Sequence, residues 1–194
     1  YLEEQEYFND LDFIGILDSD CFPEENYYEE LTAFMNSDNK LGISSGLIFT
    51  DAGKLHKTNI NWVRGGCRLW KIDCFKSAGF LVEPSPDVIS VALAHIHGWT
   101  TRPCKRIKVI SREVGENGDY SFYGASAHYR GHTIIYIIIR SLYYALYKLD
   151  LVRAIQYLRG YLSSIMNNNK KLSNKQLRTY YNWYLFNKLI KKHH

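Results

Sequence analysis

Asp12-Phe13-Ile14-Gly15-Ile16-Leu17-Asp18-Ser19-Asp20 is the stretch that decides the fold. Its apolar run has the length of a strand rather than a helix, and it stops on two acids that a strand interior would not carry. An apolar strand ending in carboxylates suits an open α/β sheet, whose ligand crevice lies at the carboxyl ends of its strands. In extended backbone, side chains at i and i+2 share a side, so Asp18 and Asp20 are expected to point together into that crevice. Oxygens placed there suit a hard divalent cation, Mg²⁺ or Mn²⁺, which keeps waters and shares its coordination with substrate phosphates. Solvated turn aspartates capping the next helix are the other reading of the same two residues.

Working outward, Pro23 and the acids Glu24 and Glu25 open a helix reaching Met35, with Tyr27, Tyr28, Leu31, Phe34 and Met35 at three- and four-residue steps. Residues 41–49 read as a second strand, and residues 50–63 as a polar loop. Gly65-Gly66 opens another ordered element, followed by a short helix over residues 73–77 that Gly79 stops. Asp87 starts a helix over residues 88–97, residues 103–110 read as a basic, alternating strand, and residues 111–132 as loop. Residues 1–9 read as the end of an acidic helix. From Thr133 onward the pattern is helical alone, over residues 133–149, 151–166 and 176–192. The expected architecture is therefore α/β, a mixed sheet with flanking helices and then a helical C-terminal extension, divided into residues 1–132 and 133–194.

Composition narrows the function classes. With 46% hydrophobic and 23% charged residues in 194, the chain is neither disordered nor fibrous. Its net charge of +4 conceals a split: residues 1–100 hold 7 Lys+Arg against 16 Asp+Glu, and residues 101–194 hold 17 against 4. Cys21, Cys67, Cys74 and Cys104 show no zinc-ligand spacing and read as reduced thiols, which favours the cytosol.

Three segments together resemble family 2 glycosyltransferases of the GT-A fold. The first is residues 13–20, a hydrophobic strand closed by a DxD pair. The second is Gly65-Gly66-Cys67-Arg68 through to Phe75 and Gly79-Phe80, similar to the segment in which a small and a basic residue precede a Phe-x-x-x-Gly-Phe ending. The third is Pro86-Asp87 before a helix that ends in Gly98. The match covers roughly residues 10–110, in family order.

The resemblance implies inverting, metal-dependent transfer from a nucleotide-diphosphate sugar to a hydroxyl of a glycan or lipid-linked acceptor. Asp18 and Asp20 would hold the metal on the donor diphosphate, and Asp87 would be the general base. Gly66 and Arg68 would face the donor, with Arg130 as a phosphate partner and His128 as a further metal ligand. Pro86 stands where the family has Glu. The family's nucleoside-binding half precedes the DxD strand, and so little of this chain does that the resemblance implies a fragment without that half. A non-catalytic acceptor-side or membrane-docking module is the alternative. Trp62, Trp70 and Trp99 are candidates for stacking on a sugar.

Residues 133–149 are apolar, but shorter than a spanning helix and interrupted by Arg140. Tyrosines among Ile and Arg, followed by many lysines and arginines, suit peripheral docking on an anionic bilayer, with the protein on the inner face of the plasma membrane. A homodimer interface is the other arrangement such a tail allows. No nucleic-acid-binding motif accompanies the basic, aromatic character.

Overall fold

The computed structural model describes residues 8, 10–55, 61–111 and 119–184. The chain divides into two compact units, Tyr1–Val114 and Gly115–His194. The first is mixed α/β and the second is helical.

In the first unit β1 (Phe13–Leu17) runs into β2 (Cys21–Pro23), then α1 (Tyr27–Asn36), β3 (Leu41–Ser45) and β4 (Leu47–Phe49). After the loop come β5 (Cys67–Lys71), α2 (Ile72–Ala78), α3 (Pro86–Ile96), β6 (Thr100–Thr101) and β7 (Lys108–Ser111). Two mixed sheets result. One is ordered β1-β5-β3-β6, with only the β3–β6 pair parallel; the other is β2-β7-β4, with β4 and β7 parallel.

The single strand expected over residues 41–49 is two strands in different sheets, and the reason lies at Gly46. A Cβ there would come within 2.7 Å of the Tyr27 ring and 2.9 Å of the Ile107 carbonyl oxygen, so only glycine lets the chain cross between the sheets. The Tyr27 hydroxyl accepts from Gly46 N–H at 2.7 Å and donates to the Cys67 carbonyl at 2.7 Å, tying both sheets to α1. Tyr27, Leu31 and Met35, at helical spacing, form the buried face of α1 and enter the core with Leu41, Leu69, Ile107 and Val109. Trp70 fills a second cluster edge-on to Phe75 and Phe80, so this tryptophan is core rather than a sugar-stacking surface.

The second unit holds α4 (Ser121–Arg130), α5 (Ile134–Leu142) continued by a π-helical turn (Tyr143–Tyr147), α6 (Leu151–Met166) and α7 (Lys175–Asn182). Side-chain caps set three starts: Thr133, Asp150 and Asn174 accept from the N–H groups of Tyr136, Arg153 and Leu177. Residues 111–132, expected as loop, contain α4, and the division expected after residue 132 falls after Val114. The sequence of α4 is poor in strong helix formers, and packing makes the helix. A Cβ on Gly124 would overlap the Tyr157 carbonyl oxygen, and one on Gly160 the Ser121 carbonyl oxygen, so α4 and α6 cross at backbone contact. The last expected helix, residues 176–192, is α7 as far as it is described, and the acidic helix expected over residues 1–9 lies outside the described residues except Phe8.

Gly160→Ala should therefore force α4 off α6. Urea unfolding followed by circular dichroism should show a loss of about 2–3 kcal/mol, and an unchanged midpoint would refute the close crossing.

Candidate functional site

Strand register assembles the site. β1 and β5 are antiparallel with Leu17 opposite Cys67, so the residue after β1, Asp18, meets the residue before β5, Gly66. Asp18 N–H donates to the Gly66 carbonyl at 2.7 Å, and Cys21 N–H closes a tight turn onto the Asp18 carbonyl at 3.0 Å. Asp18 and Asp20 thus sit in a turn between the two sheets rather than in extended backbone, and the same-side argument from strand geometry does not apply to them. Asp18 is exposed and Asp20 half-buried.

The Gly65-Gly66 pair reaches two carboxylates at once. A Cβ on Gly66 would lie 2.5 Å from Asp18 Oδ2 and 3.0 Å from Cys21 Sγ. A Cβ on Gly65 would lie 3.1 Å from Asp87 Cβ and 3.6 Å from Asp87 Oδ2. Asp87 is the second residue of α3, after Pro86, where the helix dipole favours an anion. The preceding Ser85 is held at φ 65°, a left-handed conformation uncommon for serine. The structure thus brings together the DxD turn, the two glycines and the candidate base.

Arg68 lies beneath them. Expected to face the donor, it is instead 1% exposed, with its guanidinium committed to the protein. Nε donates to Arg64 O at 2.8 Å, Nη1 to Asp87 O at 2.9 Å and Ser90 Oγ at 2.8 Å, and Nη2 to Val63 O at 3.3 Å. Burial pushes its pKa down to about 10, and the charges of Asp87 and Asp18 pull the other way, so it remains a cation at neutral pH. Ser90, which no motif singles out, receives this cation and donates in turn to Asp87 O at 3.0 Å; only its place one turn along α3 marks it.

Four free thiols, all buried, lie in this unit. Burial raises the pKa of Cys21, which also hydrogen-bonds Ser111, and the Asp20 and Asp18 charges raise it further; Cys67 is pushed up to about 11 by burial. Neither is an activated nucleophile. Trp62 is half-buried, and Trp99 donates its indole N–H to Ser77 Oγ at 2.9 Å. Among the described residues, no three or more His, Cys, Asp or Glu side chains gather to hold a metal ion. A cation at Asp18 and Asp20 would accordingly take other ligands from substrate oxygens and water, as Mg²⁺ commonly does.

His128 and Arg130 belong to α4 of the helical unit. His128 is 4% exposed and edge-on to Tyr161, and burial lowers its pKa. Arg130 sits at the C-terminal end of α4, where a cation suits the helix dipole, with its guanidinium over the Tyr181 ring. The neighbouring His132 stacks on Tyr136 at 4.0 Å between ring centroids, and burial with the Arg130 charge pushes its pKa down to about 3.

No protein-family model and no curated protein matches the chain. Among solved structures it is similar to residues 1–349 of S. aureus TarS, a wall teichoic acid glycosyltransferase, at 10% identity and a TM-score of 0.43. That alignment takes in 87% of this chain and 50% of the TarS chain.

His132 makes the helical unit acid-sensitive. Its folded-state pKa of about 3 lies below the ordinary value of 6.5, so between those values the unfolded chain binds the extra proton and stability falls as pH falls. Urea unfolding at pH 7 and pH 5 should show the wild type losing about 2 kcal/mol more than His132→Phe; equal losses would refute the assignment.

Proposed function

We propose that the first unit belongs to a divalent-metal-assisted glycosyltransferase that moves a sugar from a nucleoside diphosphate to an acceptor hydroxyl with inversion. The observation that carries this reading is the Gly65-Gly66 turn, which lies against Asp18 on one side and Asp87 on the other, above the buried Arg68. Two carboxylates with separate supports beside one side-chain-free turn can serve two roles: a pair with Asp20 for the metal-diphosphate, and a base for the acceptor.

Asp18 and Asp20 would hold Mg²⁺ or Mn²⁺, which when bound offsets the negative charge on the departing diphosphate. Asp87 takes the proton from the acceptor hydroxyl as its oxygen bonds to the anomeric carbon and the bond to the diphosphate oxygen breaks. Arg68 touches neither substrate. It fixes the Asp87 backbone and places a buried positive charge near Asp18 and Asp87, limiting the cost of bringing the two acids together. Gly66 leaves the Asp18 carboxylate where it is, since any side chain would displace it.

Calorimetric titration of nucleoside diphosphates with and without Mn²⁺ tests the reading. Metal-dependent binding should weaken at least about tenfold in Asp18→Ala/Asp20→Ala and measurably in Gly66→Ala. Asp87→Asn should bind nucleotide as the wild type does, yet lose about 10²–10⁴ in transfer rate. Binding indifferent to Mn²⁺ or to Asp18 and Asp20, or no binding by the folded chain, would sink the proposal.

A further inference from the structure

The helical unit buries one apolar face and exposes another. In α5 and its π-helical turn Ile137 and Tyr144 are buried, whereas Ile135, Ile138, Ile139, Leu142 and Leu146 are exposed, Leu146 by 73%. In α6 Ala154, Tyr157 and Tyr161 are buried, whereas Leu151, Ile155, Leu162, Ile165 and Met166 are exposed. Each exposed set recurs at three- and four-residue steps and so forms a stripe along its helix. The two helices pack on each other, so the stripes lie on neighbouring rods of one hairpin. An exposed apolar face of that extent marks an interaction surface.

Charge decides what covers it. Residues 119–184 carry 9 Lys+Arg and only 2 Asp+Glu. A second copy laid on this face would bring the same positive charge against it, whereas an anionic bilayer offers acyl chains to the stripes and headgroups to the cations. Where α5 ends, Tyr143 and Tyr147 stack at 5.2 Å and are exposed, with Lys148 over both rings and Arg140 over Tyr143. Paired aromatic and cationic groups of this kind sit at headgroup depth. Among the described residues no helix is long and apolar enough to cross a membrane.

We infer that the α5–α6 hairpin is an interfacial membrane anchor, lying in the surface of bilayers that carry anionic headgroups. The inference rests on the helical unit alone and stands or falls independently of glycosyl transfer.

Co-sedimentation of the full chain with vesicles tests it, using phosphatidylcholine alone and phosphatidylcholine with about one third phosphatidylglycerol. The chain should bind the anionic vesicles at least about tenfold more tightly, and raised salt should erode that advantage. Leu146→Asp/Ile155→Asp, two exposed positions, should cut binding by at least about tenfold with an unchanged circular dichroism spectrum. Absent binding, equal binding to both vesicle types, or a folded double variant that binds as the wild type does would overturn the inference. So would a stable dimer in sedimentation velocity that the double variant dissociates, since the face would then belong to a second copy. If the double variant does not fold, the salt and lipid dependence of the unaltered chain decides.

Discussion

A buried guanidinium holds the first unit's site together. Arg68 enters from the centre of the β1-β5-β3-β6 sheet and donates to three backbone carbonyls and one hydroxyl, drawn from the segment before β5 and from the first turns of α3. Removing a charge from water is costly unless it is paired and its donors are satisfied. Here the donors meet the carbonyls of Val63, Arg64 and Asp87 and the Ser90 hydroxyl, and Asp87 and Asp18 supply the opposite charge. The start of α3 is thereby fixed relative to the sheet, and with it the carboxylate of Asp87.

Glycine supplies the complementary constraint. The Asp18 and Asp87 carboxylates approach the same short turn, and a Cβ at either glycine would contact one of them. Gly46, at the sheet crossing, and Gly124 and Gly160, at the helix crossing, work the same way, admitting one element to the backbone of another. In each case the absence of a side chain sets a distance that a larger residue would lengthen, and in close-packed interiors such a change propagates into the neighbours.

The two units solve the packing problem differently. The first packs the apolar face of α1 against residues of both sheets, and Asp18, Gly65-Gly66 and Asp87 meet at one turn. The second packs small residues and tyrosines between α4 and α6 but leaves the outer stripes of α5 and α6 in solvent. The hydrophobic effect alone would cover those stripes, so their exposure in a strongly basic unit is a property to be accounted for by what meets them, not by the internal core.

Much of this was legible in the chain itself. Strand β1 follows from its short apolar run and helices α1 and α6 from the periodicity of their apolar residues, and the stop at Asp18 follows from acids that a strand interior rejects. The α/β class and the helical extension follow from the order of those periods. Tertiary structure decided the rest. Periodicity cannot see Gly46 passing beneath Tyr27, so one apparent strand became two. It cannot see Gly124 against Tyr157 and Gly160 against Ser121, so a Ser- and Gly-containing stretch expected as loop contains α4, and the first unit ends at Val114. Nor can spacing reveal that Arg68 points inward: a basic residue beside two glycines reads as a ligand-facing cation, and its burial depends on carbonyls supplied by residues 63, 64 and 87 and on Ser90. Local sequence determines which elements form, because their periods are local. Which side chains face one another is set by contacts between residues far apart in the chain, and those contacts exist only in the folded molecule.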